Sequence, residues 1–457
     1  MSNTSDAESS PHNSSRSTTP DSTSTYRYSH EPFDTFCEKV GALAPDIGAK
    51  SVEDIVRLPG GSFNRIIAAT LYHHDPAAAV EKVVLRIPRF AEDGDSPNED
   101  MRTQFAILEA LKSLSIQTPR VLAYDCTSDN AIGMPFSLQT RLEGQGLEMV
   151  HSELALTERL ILASELVRIL VAVENVKFQS AGRVGCSPVV SARKTIEDAE
   201  TSTSSQNILV QGFGVGIGQP ESKPKTKMTS SLQELLSTQL DAWVQHELSN
   251  PRRSFVVDMF RRLKEIYTEM EELGFFQERP SLDSNVLYHW DLEPRNIMVD
   301  RRATDCSPDI TTSHQLEVTG VLDWDDVLVI PSILARKPPV WLWDFSEDES
   351  LPSHILAYYD GDVDLLPPEL YNKAGDRLSE EDLQVKQFFE TEITNQLYGD
   401  SSPASREAYL DDAYGRGRWL RRLWRFALDG FSDSQHIDRF KNFDKAWSEY
   451  KETSSSF

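Results

Sequence analysis

Apolar and polar residues in the first third of the chain alternate over short distances. Short apolar runs bounded by glycine or polar residues are typical of strands, and apolar residues at every third or fourth position are typical of a helix. The pattern predicts one helix at 103–114 among strands at 55–58, 66–71, 83–87, 121–124 and 135–140.

After Arg141 the pattern changes to long stretches of helical periodicity. Helices are predicted at 154–173, 232–248, 255–273 and over the last sixty or so residues, interrupted by short strands at 297–299 and 318–322. A small β-rich part followed by a larger helical part predicts an α+β fold.

Polar segments divide the chain further. Residues 1–30 are rich in Ser and Thr and carry almost no apolar side chains, which predicts a disordered tail, and a short disordered end is expected at 451–457. The globular part is predicted to consist of an N-terminal lobe at 31–140 and a C-terminal lobe at 141–450. A polar, glycine-containing stretch at about 198–231 is predicted to form a flexible insert in the second lobe.

The composition excludes some classes of function. A formal net charge of -26 repels phosphate backbones, so no nucleic-acid partner is expected. This acidity forms either an ordinary solvated surface, which we favour, or a site for a cationic substrate. No apolar run is long enough to span a membrane. The four cysteines form no C-x-x-C pair, and the N-terminus lacks a signal-like apolar stretch, so a cytoplasmic protein without a structural zinc site is expected.

The segment HWDLEPRNIMVD at 289–300, followed by VTGVLDWDD at 318–326, carries the candidate chemistry. Phosphoryl transfer requires a carboxylate beside the attacking hydroxyl and oxygen ligands that hold Mg²⁺ on the phosphates. Asp291 is predicted as the catalytic base, with Asn296 and Asp323 as Mg²⁺ ligands. His289 belongs to the same catalytic group, where it either braces the loop, which we favour, or transfers a proton. The alternative for the whole segment is a hairpin with chance polar residues.

These two segments resemble the aminoglycoside phosphotransferase-like family, particularly its fungal-type members. Family members typically show His-x-Asp-Leu-His-x-x-Asn. Here Trp290 stands where Gly or Pro is common, and Glu293 stands where a second histidine is common. The resemblance continues upstream through RLPGGSFNRI at 57–66, VVLRIPR at 83–89 and MPFSLQTRLEGQGL at 134–147. It implies a two-lobed, protein-kinase-like fold with a small antiparallel N-terminal lobe.

The resemblance also implies nucleotide-binding residues in the first lobe. Gly60, Gly61, Ser62 and Phe63 would form the loop that covers the phosphates of ATP, although a Gly-Gly turn taken alone is simply a hairpin. Arg86 takes the place of the lysine that usually contacts the α- and β-phosphates, and 137–141, including Gln139, would bind adenine. The helix position that usually carries the glutamate partner of that lysine aligns with Gln104, or with Glu109 after a shift.

The implied activity is transfer of the γ-phosphate of ATP, with Mg²⁺, to a hydroxyl of a small polar acceptor that could be cationic. The alternative is a pseudokinase that binds nucleotide or acts as a scaffold without transferring phosphate, since Trp290 and Gln104 depart from the family pattern. A protein kinase ranks last, because Asp-Trp-Asp-Asp replaces Asp-Phe-Gly and no activation segment lies between Asp323 and Pro331.

Overall fold

A computed structural model describes residues 31–59, 64–89, 98–185, 191–196, 198, 208–215, 225–249, 253–277, 279–303, 314–325, 327–345, 377–400, 402–431 and 434–454. By its contacts the chain divides into two compact units. The smaller unit comprises Met1–Asn98, Leu122–Arg141 and Ser191–Ser202, and the larger unit comprises Glu99–Val121, Leu142–Val190 and Thr203–Phe457. The lobe boundary at 140/141 stays a prediction. The predicted tail at 1–30 lies outside the described residues.

The smaller unit is built on a sheet whose strand order is β1-β2-β3-β5-β4-β9. The pairs β1/β2, β2/β3, β3/β5 and β4/β9 are all antiparallel. On β3, alternate residues Val83, Leu85 and Ile87 are buried, as expected for a strand with one face against a core. The strands are β1 Ser51–Arg57, β2 Asn64–Tyr72, β3 Glu81–Pro88, β4 Val121–Asp125, β5 Phe136–Thr140 and β9 Arg193–Lys194.

Two helices that the sequence pattern did not indicate precede this sheet, α1 (Phe33–Gly41) and α2 (Ala44–Ile47). On α1, Phe36 and Val40 lie one helical turn apart, and both are buried in the same core as the sheet. The guanidinium of Arg65 on β2 lies 4.0 Å from the centre of the Phe36 ring, which attaches the helix to the sheet.

The larger unit is mainly helical. One of its hydrophobic cores joins the central helices to the C-terminal part of the chain through stacked and edge-on rings, such as Phe260 against Phe431 with centroids 5.0 Å apart. The helices in the described part are α3 Asn98–Leu111, α4 Leu156–Glu174, α5 Leu232–Leu248, α6 Ser254–Glu272, α7 Pro280–Asp283, α8 Ser332–Ala335, α9 Glu380–Tyr398, α10 Pro403–Ala413, α11 Arg416–Asp429 and α12 Ser434–Ser454.

Two small sheets lie within the larger unit. One has the order β10-β8-β14-β11-β7 and the other has the order β13-β12-β6. The strands are β6 Gln145–Gly146, β7 Lys177–Phe178, β8 Gly182–Gly185, β10 Leu209–Gln211, β11 Asn285–His289, β12 Ile297–Ala303, β13 His314–Val321 and β14 Val327–Pro331. The first candidate segment runs from the end of β11 into β12, and the second runs from β13 to the residue before β14.

Two features differ from the sequence expectations. A described stretch within the expected insert is ordered, because β10 pairs with β8, and Phe213 and Val215 are buried in the core that contains Phe260. Helix α12 runs through Ser454, into the expected disordered end, and Lys451 forms an ion pair of 2.7 Å with Glu269. Arg421 on α11 is buried, and its guanidinium donates to backbone carbonyls, including those of Ile333 and Asp412.

The predicted α+β class is confirmed by an antiparallel sheet in the smaller unit and mainly helical structure in the larger one. No helix among the described residues has the length and apolar character required to cross a bilayer.

Candidate active site

The loop that carries Asp291 is short and tightly hydrogen-bonded. Strand β11 ends at His289, and β12 begins at Ile297 after a 3₁₀ turn at Pro294–Asn296. Within the loop, the Glu293 amide donates to the Asp291 carbonyl and the Asn296 amide donates to the Glu293 carbonyl, both at 2.9 Å. These bonds reverse the chain so that Asp291 and Asn296 lie side by side.

Both carboxylate oxygens of Asp291 accept hydrogen bonds from this same loop. The Asn296 amide nitrogen, Nδ2, donates to the Asp291 backbone carbonyl and to Oδ2, each at 2.9 Å. The Arg295 guanidinium donates to Oδ1. The Asp291 side chain remains 19% exposed, so the carboxylate is held in one orientation but can still be reached by a ligand.

Asn296 is itself buried, at 7% exposure, and its two bonds to Asp291 fix which way its amide points. Because Nδ2 is committed to Asp291, the amide oxygen Oδ1 is the atom available to a ligand. Within the described part of the chain no group donates to Oδ1. A buried amide oxygen held in this way is a suitable ligand for a hard cation.

His289 connects this loop to the second candidate segment. Its Nδ1 accepts the backbone N–H of Asp291 at 3.2 Å, and its Nε2 lies 2.9 Å from the carbonyl of Leu322. A backbone N–H can only donate, so Nδ1 carries no proton and Nε2–H is the donor to Leu322. Burial lowers the pKa of His289, and the nearby carboxylates of Asp323 and Asp291 only partly oppose that effect. The imidazole is therefore neutral and links two backbones.

Asp323 is brought to the same place by strand pairing. Ile297 on β12 pairs with Val321 on β13, and the Leu322 amide donates to the Asn296 carbonyl at 2.7 Å. Asp323 follows directly, exposed, with a left-handed φ of 60°. The next residue, Trp324, is buried, and its indole N–H donates to the Val321 carbonyl at 3.0 Å.

The residues present fit a magnesium ion bound together with a nucleotide. Among the described residues, no cluster of three or more His, Cys, Asp or Glu side chains forms a site that would hold a metal by itself. Mg²⁺ is typically held by one or two carboxylates together with substrate phosphates and water. Asn296 Oδ1 and the Asp323 carboxylate are the protein oxygens that would hold it.

Two contacts near these residues were not predicted from the sequence, the bond from Arg295 to Asp291 and the bond from Gln104 to Asp325. Arg295 was part of the quoted motif, and its position four residues after Asp291 was the available signal for their ion pair. Gln104 on α3 donates from Nε2 to Oδ1 of Asp325, and no local signal predicts a contact between residues 221 positions apart. Asp326 lies outside the described residues.

The residues predicted to bind ATP belong to the smaller unit. Gly60, Gly61, Ser62 and Phe63 lie outside the described residues. Arg86 lies on β3, opposite Ile66 on one side and Ser137 on the other. Gln139 on β5 is buried, pairs with Val84, and donates to the Ser137 hydroxyl at 3.3 Å. Their roles in nucleotide binding remain predictions.

Comparison with known families identifies the class of protein. The family model described as "Phosphotransferase enzyme family" matches residues 55–333, which is more than half of the chain. The chain therefore belongs to the phosphotransferase enzyme family. The predicted resemblance is confirmed at the level of this family, whereas its fungal-type detail and the protein-kinase-like fold stay predictions.

Several solved structures are similar to this chain at low sequence identity. Aminoglycoside phosphotransferase APH(4)-Ia is 15% identical, with a TM-score of 0.42, over 91% of this chain and 97% of that one. ADP-bound aminoglycoside phosphotransferase APH(2'')-Ib is 12% identical, with a TM-score of 0.42, over 89% of this chain and 96% of that one. A thermostable APH(4)-Ia mutant, solved with AMP-PNP and hygromycin B, is 15% identical, with a TM-score of 0.40, over 87% of this chain and 93% of that one. Comparison with curated proteins gives no match.

Proposed function

We propose that this phosphotransferase moves the γ-phosphate of ATP to a hydroxyl group of a small polar acceptor, with Asp291 as the base. The observation that carries the proposal is the hydrogen-bonded assembly in which Asn296 binds Asp291 through its side chain and the Leu322 amide through its carbonyl, directly before Asp323 in the chain. Membership of the phosphotransferase enzyme family supports the reaction class.

Asp291 would orient the acceptor hydroxyl and accept its proton. A carboxylate has about four lone-pair positions, so the bonds from Arg295 and Asn296 leave room for the hydroxyl. As the acceptor oxygen bonds to the γ-phosphorus, the bond from that phosphorus to the β–γ bridging oxygen breaks. ADP leaves with the electron pair, and the hydroxyl proton passes to Asp291.

The other residues would bind the metal and the nucleotide or keep the two loop segments in position. Asn296 Oδ1 and Asp323 would hold Mg²⁺, which supplies charge neutralisation on the phosphates when bound. His289, neutral and doubly hydrogen-bonded, would keep the two segments in register and would not transfer the proton itself. Arg86, the loop at 60–63 and the 137–141 strand, including Gln139, would bind the nucleotide.

The departure at Trp290 does not disturb this arrangement. The indole packs against the larger unit's core, with the Arg425 guanidinium 4.7 Å from its ring centre, while the hydrogen bonds of the Asp291 loop remain in place. The geometry therefore gives no support to the pseudokinase alternative. A cationic acceptor and a cytoplasmic location stay predictions.

The test is a screen of the purified full-length protein against a library of hydroxyl-containing metabolites and drug-like molecules, with Mg²⁺ and ATP. Mass spectrometry would detect the gain of one phosphoryl group. Asp291→Asn and Asp323→Asn keep the side-chain shape and are expected to abolish transfer, because they remove the base and the charged metal ligand. Asp258→Asn is the control, since Asp258 is 74% exposed and pairs with Arg261 three residues further along the same helix. If both site variants transferred phosphate as fast as the parent protein, the mechanism would be wrong.

A further inference from the structure

The helix residue Gln104 is joined to the turn that carries Asp323. Gln104 lies on α3, is 6% exposed, and donates from Nε2 to Oδ1 of Asp325. Because an ionised carboxylate can only accept, the partner decides which end of the Gln104 amide faces the turn. A hydrogen bond to a charged acceptor is among the stronger ones in proteins.

The turn at 323–325 is held by contacts of its own residues. Asp323 adopts a left-handed backbone, which costs less for aspartate than for most other non-glycine residues but is still favoured by a structure that holds it. Trp324 holds the turn from the protein interior through its bond to Val321 and its edge-on contact with the His289 ring, with centroids 4.6 Å apart. Asp325 holds it from the other side through Gln104. Asp323 lies between the end of β13 and the two anchored residues, Trp324 and Asp325, and is exposed to solvent.

This contact also accounts for the amide at position 104. The family resemblance described in the sequence analysis implies a glutamate at this helix position, or Glu109 after a shift, as the partner of the cation on the third strand. In this chain Gln104 directs its amide to Asp325, and Glu109 forms an ion pair of 2.7 Å with Lys112 on the same helix. A glutamate at position 104 would set two carboxylates against each other in a partly buried place, which is unfavourable.

We infer that Gln104 is a positioning residue that holds the Asp323 turn in its metal-binding conformation through its hydrogen bond to Asp325. The inference rests on the proposed function for its metal and nucleotide, but the contact itself exists without them. Its chemistry is specific: position 104 needs a donor as long as Asp325 is an acceptor.

A charge-exchange experiment tests this requirement. The variants are Gln104→Glu, Asp325→Asn, the double variant Gln104→Glu/Asp325→Asn, and Glu109→Gln as the matched control on the same helix. The first readout is the Mg²⁺ concentration that half-saturates binding of a fluorescent ATP analogue. The second is the urea midpoint of the nucleotide-free protein, with hydrogen exchange of the 323–325 amides.

Gln104→Glu is expected to raise the half-saturating Mg²⁺ concentration about tenfold or more, to lower the urea midpoint and to speed exchange in the turn. Asp325→Asn alone should change these values much less, because an Asn carbonyl still accepts from Gln104. The double variant should return to within about threefold of the parent protein, since Asn can donate to the new glutamate. Glu109→Gln should leave the Mg²⁺ dependence unchanged.

The inference is overturned if Gln104→Glu binds as well as the parent protein, if the double variant shows no recovery, or if Glu109→Gln causes the larger loss. If Gln104→Glu does not fold, Gln104→Met removes the bond without adding charge and must still loosen the turn. Should the parent protein bind no Mg²⁺-ATP, the proposed function fails. The coupling between positions 104 and 325 in the nucleotide-free protein then decides the inference alone.

Discussion

Replacing His289 gives the most direct test of how the two candidate segments are held together. His289→Ala removes the acceptor of the Asp291 N–H and the donor to the Leu322 carbonyl. It also removes an edge-to-face contact with Trp324, whose ring plane is tilted by 69° to the imidazole. The variant is expected to be less stable and to hold Asp291 and Asp323 less firmly.

The magnitude follows from these contacts. Each polar group left without a partner costs about 1–3 kcal/mol, and the ring contact contributes about 0.5–1.5 kcal/mol. We expect His289→Ala to lower the free energy of unfolding by about 3 kcal/mol. His289→Asn places an amide oxygen near the position of Nδ1, and His289→Gln places an amide N–H near that of Nε2. Each should therefore recover about 1 kcal/mol of the loss.

Urea unfolding followed by tryptophan fluorescence measures these differences. The reasoning would be refuted if His289→Ala unfolded at the parent's urea concentration, or if neither Asn nor Gln were better than Ala. The pH dependence adds a second check. Because burial lowers the pKa of folded His289, the unfolded chain takes up a proton that the folded chain does not, once the pH falls below about 6.5. His289 thus loses part of its contribution in acid, and His289→Asn should be less damaging near pH 5.5 than near pH 7.5.

Substitutions at four further positions test other parts of the structure. Burial lowers the pKa of His151 to about 4, so wild-type stability should fall as the pH drops from about 6.5 towards that value. His151→Phe, which keeps a ring against Phe345, should therefore gain about 2 kcal/mol relative to wild type between about pH 7.5 and pH 5 in urea unfolding. Gly144→Ala would place Cβ 2.2 Å from the Val299 carbonyl oxygen and should cost about 3 kcal/mol or more. Gly133→Ala would place a Cβ with no heavy atom within 4 Å and should lower the free energy of unfolding by only about 1 kcal/mol. Equal losses in the two glycine variants would contradict this reasoning. Ser231→Ala removes the N-cap bond to the Glu234 amide and should cost about 1 kcal/mol in thermal unfolding, whereas Ser231→Asp should not.

The elements predicted best are those whose signal is local and long. Helix α5 was predicted at 232–248 and occurs as Leu232–Leu248, because its apolar positions repeat over many turns. Strand β3 alternates cleanly and was also recognised. Helix α1 was missed because a single turn of apolar spacing, Phe36 to Val40, does not stand out from a loop. Strands β11 and β14 were missed because only their mutual pairing, from Asn285 with Pro331 to His289 with Val327, distinguishes them from buried loops.

The candidate site likewise contains residues that the sequence could associate with one another and residues that only the structure brings together. Residues within one short loop, Asp291 and Asn296, could be associated from the sequence, since their spacing forces them together once the chain turns. Asp323 was associated with them through its position after a strand. That strand, β13, pairs antiparallel with β12, as consecutive strands of a hairpin do. The sequence by itself thus determined which residue types are available for phosphoryl transfer and which of them are neighbours along the chain.

Only the tertiary structure decided which distant groups support them. The bond from Gln104 to Asp325 and the Leu322 carbonyl that accepts from His289 depend on the register and packing of separate elements. The burial of Arg421, which composition alone places at the surface, depends on the carbonyls that packing brings around it. The physical reason is that a hydrogen bond depends on a distance of about 3 Å and a direction. Local propensity sets the backbone conformation but not which remote donor comes to lie at that distance.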